Sequence, residues 1–263
     1  MIRSAILAAA ASAVLASAAL AADLPTTKGP PVYTPPPPPV FSWTGVYLGG
    51  QVGYEWGTTD GSYTQVVPPI VGAVAVPGGT FFRSFGHNAS GVVGGGHVGY
   101  NYQFNQFVVG LEGDVNGSSY QGSSLIAPAF VLLSRERTPV DASIRGRVGV
   151  AFDRVLVYAT GGGAFGGFET SLFDTTTGFG ETHHPGRLGW TVGGGVEYAI
   201  DNNWSVRAEY RYTNYGGFDV SYTTLTTTPI TVHYNATDNR VQVGFSYKFG
   251  EPPPPPPPVV AKY

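Results

Sequence analysis

The sequence predicts an all-β fold, an eight-stranded antiparallel up-and-down transmembrane β-barrel with long outer loops and short periplasmic turns. Eight stretches alternate between apolar or glycine residues and polar or charged ones. This period of two gives a strand two unlike faces. The chain also begins with an export signal, and no later run approaches the ~20 apolar residues that a helical span needs. Only helices and closed barrels satisfy every backbone polar group in lipid, so any membrane span must be made of strands.

Residues 1–21 predict a cleaved secretory signal peptide. Arg3 is the only charge before Asp23, and the stretch between them is rich in alanine and other apolar or small residues. Ala19-Leu20-Ala21 has the small-residue pattern of a cleavage site. The alternative, a retained transmembrane helix, fits less well because the stretch is only moderately hydrophobic and a proline-rich segment follows it.

Two proline-rich segments bracket the predicted barrel domain, which covers residues 42–249. They are an N-terminal arm over residues 22–41 and a C-terminal tail over residues 250–263. Such sequences favour extended, solvated polyproline II conformation. We expect both to be periplasmic spacers; a partner-binding ligand of the PxxP kind is the minor alternative.

The connections between the predicted strands alternate in length, which is typical of outer-membrane barrels. The short turns lie at residues 105–106, 153–154 and 201–203, and the termini are expected beside them in the periplasm. The long loops, expected outside, are residues 57–89, 121–139, 171–186 and 216–236. The strands are predicted at Ser42–Trp56, Ser90–Phe104, Phe107–Tyr120, Val140–Phe152, Val155–Thr170, Arg187–Ala199, Trp204–Tyr215 and Thr237–Phe249.

The two faces of these strands differ in charge. The faces predicted to meet lipid carry none, as in the series Val46, Leu48, Gly50, Val52 and Tyr54 on the first strand. A charge at the bilayer midplane would cost ~2–4 kcal/mol. The opposite faces supply a predicted lumen charge network of Glu55, Glu112, Asp114, Arg145, Arg147, Glu197, Arg207, Glu209, Arg211, Arg240 and Lys248.

Five acids against six bases in that network are close to balance. The interior of an eight-stranded barrel is just wide enough for side chains to fill, and buried charges must be paired. We therefore expect a lumen closed by paired charges. The rival, a water-filled pore, commonly needs 16–18 strands.

Composition excludes several other classes. The chain has no cysteine, so it has no disulfide framework. Its net charge of −3 and lack of a basic patch argue against nucleic-acid binding. The glycine runs 91–96 and 161–167 do not open a helix or carry the Lys-Ser/Thr of a phosphate loop. We predict no cofactor, no metal and no catalytic residues.

Several motifs, in order, resemble those of the alphaproteobacterial immunogenic surface-antigen family of porin-like outer-membrane proteins, which are related to the OmpA membrane domain. They are Ala21-Ala22-Asp23-Leu24-Pro25, the stretch Phe41–Gly50, Arg145-Gly146-Arg147-Val148-Gly149, Tyr158-Ala159-Thr160-Gly161-Gly162 and Val243–Phe249. The resemblance covers almost the whole mature chain and implies the same eight-stranded barrel.

The resemblance also implies an assembly signal at Tyr247 and Phe249, read by the barrel-assembly machinery. Family members usually end at this aromatic, whereas fourteen residues follow Phe249 here. Either an internal signal is tolerated or Tyr263 contributes. The other expected partners are outer-membrane lipid and lipopolysaccharide; the oligomeric state is left open.

The leading functional hypothesis is a structural outer-membrane protein that supports envelope integrity and displays surface loops. A ligand-binding or transport barrel, for haem, a small solute or weak porin activity, is the alternative. Some relatives are linked to haem, and imidazoles in the predicted loops could ligate iron. These are His87, His183, His184 and His233. An enzyme is the third hypothesis, but no spacing of Ser, His and Asp identifies a triad.

Overall fold

Ten β-strands make up the secondary structure of the computed structural model, which describes residues 41–67, 69, 78–125, 132–174, 178–222 and 230–250. Within these residues no helix is long and apolar enough to cross a membrane. The strands are β1 (Gly45–Val67), β2 (Gly79–Phe104), β3 (Phe107–Ser118), β4 (Gln121–Leu125), β5 (Leu132–Phe152), β6 (Val155–Asp174), β7 (Gly180–His183), β8 (Gly186–Ala199), β9 (Trp204–Tyr222) and β10 (Ile230–Lys248).

The sheet closes on itself because β1 pairs with both β2 and β10. All pairings are antiparallel, and the ring order is β1-β2-β3-β5-β6-β8-β9-β10. The short strand β4 continues the line of β3, pairing with β5, and β7 precedes β8 along β6. The ring therefore has eight positions, and the predicted eight-stranded up-and-down barrel is confirmed.

Two of the short turns require an unusual backbone conformation. Asn105 and Asp153 have φ of 53° and 54°, in the left-handed region. Asn and Asp adopt this region more readily than other non-glycine residues. The two-residue turns predicted at 105–106 and 153–154 are confirmed, and each opens with one of these residues.

The long loops predicted at the other end are wrong in extent, because most of their residues belong to strands. β1 and β2 stay paired from Gly57↔Ala89 to Val67↔Gly79. The alternation that predicted the strands depends on an apolar outward face. Beyond Trp56 that face turns polar, at Thr58 and Asp60, although the pairing continues.

Bulges explain where the predictions of two strands, β5 and β9, stopped. Register shifts lie between Arg137 and Val140 and between Asn235 and Thr237. On β9 the bulge includes Gly216, whose φ of 71° suits glycine. An extra residue reverses which parity points inward. The sequence alternation is interrupted at these points on β5 and β9, and their predictions therefore started or ended there. On β10 the inward parity does not change, and the prediction began at Thr237 because the outward residues before it are polar.

The outward face below these bulges forms an apolar band. The residues predicted there on β1, such as Leu48 and Val52, are 52% and 53% exposed. Its other large members include Val98, Leu111, Ile144, Val148, Trp190, Val196, Tyr210, Val243 and Phe245.

The strand extension is the part of the barrel beyond this band: residues 57–67, 79–89, 121–125, 132–137, 169–174, 180–183, 217–222 and 230–236. Its outward positions are mainly polar, for example Asp60, Asp219 and His233. Its interior contains an apolar and aromatic cluster that reaches just below the extension, at Phe168 and Tyr215. The members of this aromatic cluster include Tyr63, Phe168, Leu172, Tyr215, Phe218, Tyr222, Ile230, Val232 and Tyr234.

Candidate functional site: the charged barrel interior

Inward-facing positions of the middle of the barrel carry arginines and carboxylates instead of an apolar core. Strand alternation places them there, because residues two apart share a face. All of the predicted network members except Lys248 are at most 4% exposed. The sequence-predicted residues are therefore brought together, with one exception described below.

A balanced charge cluster occupies the middle of the interior. It contains four arginines and four carboxylates: Glu112, Asp114, Arg145, Arg147, Glu197, Arg207, Glu209 and Arg211. Arg145 is its most connected member. Its guanidinium lies 2.6 Å from Glu112 Oε1, 3.0 Å from Asp114 Oδ2 and 2.8 Å from Glu209 Oε1. Charge-assisted hydrogen bonds of this kind are stronger than neutral ones.

The other three arginines complete the cluster. Arg207 Nη1 lies 2.6 Å from Glu112 Oε2, and Arg211 Nη1 lies 3.1 Å from Asp114 Oδ1. Arg147 pairs with Glu197. Its guanidinium also lies 3.7 Å from the centroid of the Tyr158 ring, a cation–π contact.

Neutral side chains bind the remaining carboxylate oxygens. The Tyr47 hydroxyl donates to Glu112 Oε2 over 2.8 Å, and the Tyr158 hydroxyl donates to Glu209 Oε2 over 2.8 Å. Neither tyrosine was predicted as part of the network. Both have the inward parity of their strands, which is the signal that could have identified them.

A second, acidic charge cluster lies between the balanced cluster and the strand extension. Arg240 Nη2 lies 2.6 Å from Glu55, 2.8 Å from Asp141 and 3.7 Å from Asp238. Three carboxylates thus share one guanidinium. The sequence prediction missed Asp141 and Asp238, although each shares the inward parity of a predicted arginine, Arg145 and Arg240 respectively.

Lys248 does not join either cluster, which corrects the prediction. Its ammonium donates to the Ser42 carbonyl oxygen and lies 4.5 Å from the centroid of the Phe41 ring. It sits at the short-turn end, where β10 finishes beside the chain entering β1. Within the two clusters, the five remaining predicted bases meet seven carboxylates once Asp141 and Asp238 are included.

The histidines considered as haem ligands are dispersed among carboxylates. His183 lies 2.8 Å from Glu181, His184 lies 3.9 Å from Glu169, and His233 lies 2.7 Å from Asp219. The side chain of His87 is outside the described residues. Within the described part of the chain, no group of three or more histidines and carboxylates could hold a metal ion.

The predicted assembly residues lie at the end of β10. The backbone N–H of Phe249 donates to the Val46 carbonyl oxygen over 2.8 Å. The Tyr247 and Phe249 ring centroids are 5.0 Å apart, and Tyr247 contacts Trp204 at 5.1 Å. This aromatic group ends the apolar band at the short-turn end. Its role in assembly stays a prediction.

Known proteins are similar to this chain. The chain is 35% identical over 215 residues to the 31 kDa outer-membrane immunogenic protein of Brucella melitensis, covering 80% of this chain and 85% of that protein. It is 31% identical over 213 residues to the 22 kDa outer membrane protein of Rhizobium leguminosarum bv. viciae, covering 80% of each. OprG from Pseudomonas aeruginosa is similar in structure with a TM-score of 0.49 and 13% identity, covering 79% of this chain and 97% of OprG.

The family comparison agrees with the resemblance found in the motifs. Residues 6–249 match the family described as Outer membrane protein beta-barrel domain. The match includes all ten strands. The chain therefore belongs to this family of outer-membrane β-barrel proteins, alongside the immunogenic outer-membrane proteins of Brucella.

Proposed function

We propose that this protein is a structural, non-enzymatic component of the outer membrane whose lumen is closed by its own charges and whose strand extension is displayed at the cell surface. The observation that carries the proposal is the set of ion pairs that cross the barrel. In a ring of eight positions, strands four places apart face each other. β3 faces β9, and β5 faces β10.

Three ion pairs join these opposite walls. Arg207 on β9 reaches Glu112 on β3, and Arg211 on β9 reaches Asp114 on β3. Arg240 on β10 reaches Asp141 on β5. A continuous water path through the interior would have to pass between side chains that are in hydrogen-bond contact across the full diameter. This favours a closed lumen over a pore.

The aromatic cluster supports closure at a second level. Tyr222 and Tyr234 are fully buried inside the strand extension, and their hydroxyls are 3.2 Å apart. Phe168 and Tyr215 meet edge to face at 5.0 Å between centroids. This aromatic layer, next to the two charged layers, supports the proposal of a closed lumen.

The proposed orientation puts the short turns and both termini in the periplasm and the strand extension outside. The polar outward face of the extension supports it, because that face is suited to water and not to acyl chains. Protease added to intact cells should cut in the connection at residues 68–78 or 223–229. It should spare the turns at 105–106 and 201–203; cleavage confined to those turns would invert the topology.

Processing and biogenesis follow the same proposal. Export would remove residues 1–21, leave the proline-rich arm and tail in the periplasm, and deliver the chain to the barrel-assembly machinery through Tyr247 and Phe249. The names of the relatives, immunogenic outer-membrane proteins, place those proteins in the outer membrane.

Planar-bilayer recording tests closure directly. The wild-type protein should show little or no steady conductance. Glu112→Gln removes the negative charge that pairs with Arg145 and Arg207. Removing one partner of a buried ion pair typically lowers the free energy of unfolding by ~3–5 kcal/mol. Asp60→Asn, on the outward face of the extension, is the matched control and should change stability by ~0.5 kcal/mol or less.

Two results together would reject the closed lumen. They are a large, stable open channel in the wild type and an effect of Glu112→Gln on unfolding as small as that of Asp60→Asn. Comparing detergent sensitivity of cells with and without the protein tests the envelope role separately. Unchanged sensitivity would remove the structural role and leave the transport alternative.

A further inference from the structure

We propose that Arg135 and Arg137, on the outward face of β5, form a binding site for the phosphorylated headgroup of a lipid in the outer leaflet. The inference rests on the proposed orientation and names a partner for one surface of the strand extension. It depends on four features: position, spacing, neighbours and the absence of other outward-pointing cations among the described residues of this surface.

The first feature is position relative to the apolar band. The outward face of β5 is apolar at Val140, Ile144, Val148 and Phe152, which are 47–69% exposed. The bulge between Arg137 and Val140 follows directly. Beyond it, Arg135 and Arg137 are both exposed. Charge therefore begins within a few residues of the end of the apolar surface, where the headgroups of a bilayer lie.

The second feature is spacing. Arg135 and Arg137 are two residues apart on one strand, so their side chains project from the same face about 6–7 Å apart. A guanidinium binds phosphate through two parallel N–H donors, which makes arginine well suited to this ligand. Two such groups side by side match one phosphate shared between them or two phosphates on one headgroup.

The third feature is the set of neighbouring side chains. In the strand pairing, Ser123 and Ser171 flank Arg135, and Gln121 and Glu169 flank Arg137. Three of these four side chains are neutral and can donate hydrogen bonds to a phosphate. The fourth is a carboxylate, but it lies 3.9 Å from His184. Among the described residues neither Arg135 nor Arg137 forms an ion pair with a carboxylate.

The fourth feature is that the other cations of the described wall point elsewhere. On β2, Arg83 lies opposite buried Tyr63 of β1 in the strand pairing, so it has the same inward parity as Tyr63. The guanidinium of Arg187 lies over the Phe218 ring, 4.5 Å from its centroid. In the strand extension, β1 and β2 present the neutral side chains of Thr58 and Asn88 outward. The outward positive charge is thus concentrated on β5.

A lipid is favoured over a free phosphate because of the apolar surface below the arginines. Acyl chains can lie against Val140 and Ile144 while the headgroup meets Arg137 and Arg135. A soluble anion would gain the guanidinium and neighbouring hydrogen-bond contacts, which salt screens at an exposed site, but none of the apolar contacts below them. Anionic headgroups are also concentrated at the membrane surface, which raises occupancy of such a site.

The test uses the full-length mature protein in neutral phosphatidylcholine nanodiscs. Diphosphoryl lipid A, labelled with a fluorophore, is the probe, and its dephosphorylated form is the chemical control. We expect the double variant Arg135→Gln/Arg137→Gln to bind diphosphoryl lipid A at least about fivefold more weakly than wild type. Arg83→Gln, which removes an exposed cation of inward parity, should bind as wild type does.

The proposal would be overturned by unchanged binding in the double variant, by equal weakening in Arg83→Gln, or by equal binding of the dephosphorylated lipid. Competition by millimolar inorganic phosphate as effective as competition by the lipid would show a simple anion site and also overturn it. Heat-modifiable migration on a gel verifies that each variant is folded. Failure here leaves the conductance result untouched, so the lipid site and the closed lumen are judged independently.

Discussion

At the scale of single residues, burial and charge are distributed unevenly through the interior. The balanced charge cluster is neutral, with four arginines and four carboxylates, whereas the acidic charge cluster has one arginine for three carboxylates. Uncompensated buried charge is costly. The members of the acidic cluster should therefore differ in how strongly each supports the fold.

Asp238 is the carboxylate of the acidic cluster that is least tied to Arg240. Its Oδ2 lies 3.7 Å away, whereas Asp141 accepts hydrogen bonds of 2.8 and 3.1 Å. Its Oδ1 is buried without a hydrogen-bond partner, beside a cavity of about 10 Å³. Asp238→Asn removes one excess negative charge and keeps the shape. We expect it to be neutral or stabilising in urea unfolding.

The matched variant is Asp141→Asn, which weakens a bidentate pair across the barrel. It should lower the free energy of unfolding by ~3 kcal/mol or more, as for other broken buried pairs. Equal destabilisation by the two variants would show that Asp238 is as well compensated as Asp141, against the charge count.

Glu136 gives the strand extension a pH dependence. It is fully buried in the interior of the extension, beyond the apolar band, and burial raises the pKa of its carboxyl to about 7. The unfolded chain loses this proton nearer pH 4.5. Between these values the folded state binds more protons, so stability falls as pH rises from about 4.5 to 7 and stays low above that.

The variant Glu136→Gln should remove this contribution. At pH 8 it should raise the free energy of unfolding of the extension by on the order of 2–3 kcal/mol, and near pH 4 the difference should vanish. Hydrogen exchange of the β5 and β10 amides at the two pH values measures this difference in the free energy of unfolding between the variant and the wild type. An exchange difference that is the same at both pH values would contradict the prediction.

At the scale of elements, bulges decide where β5 and β9 change their inward parity. β9 continues past Tyr215 only because Gly216 adopts a left-handed conformation, with φ of 71°. Beyond it the even-numbered residues Phe218, Val220 and Tyr222 point inward and join the aromatic cluster. The position of one glycine therefore sets which side chains fill the extension.

Gly216→Ala should destabilise the protein by ~1–2 kcal/mol, the cost of a left-handed conformation for an L-residue with a Cβ. A Cβ at this position meets nothing within 4 Å, so backbone conformation is the only cause. Gly163→Ala is the control, since its Cβ also meets nothing and its φ is ordinary. In thermal unfolding, Gly216→Ala should have a lower midpoint temperature than Gly163→Ala. Equal midpoints would show that the bulge tolerates alanine.

At the scale of the whole molecule, the barrel domain is continuous from the residues just before β1 to the end of β10. Trp43 is 3% exposed and belongs to an apolar cluster at the short-turn end with Val108, Leu156 and Tyr158. Its indole N–H donates to the Asp153 carbonyl oxygen over 3.2 Å. The fold therefore includes residues that precede the first strand.

A chain trimmed to residues 41–249 should refold in detergent and show heat-modifiable migration, because the two proline-rich segments lie outside it. A shorter chain beginning at Gly45 lacks Trp43. It should be less stable by ~3–5 kcal/mol, the usual cost of removing a large buried aromatic. Refolding by the longer mature chain but not by residues 41–249 would show that an arm belongs to the fold.

The sequence by itself determined the eight-stranded closed sheet, the two-residue turns and which residues face inward. It also predicted the export signal. All of these depend on local spacing: a period of two, a turn residue or an apolar run. It also predicted ten of the charges that the interior brings together, because lipid excludes charge from the outward face.

Only the tertiary structure decided which charges meet. Parity says that Arg207 and Glu112 point inward, but their contact depends on the register of every strand between them around the ring. The same dependence placed Lys248 at the Phe41 ring and added Asp141 and Asp238 to the interior. The strand extension needed the structure as well, because beyond the bilayer a strand is held by its neighbours' backbone hydrogen bonds and requires no apolar face.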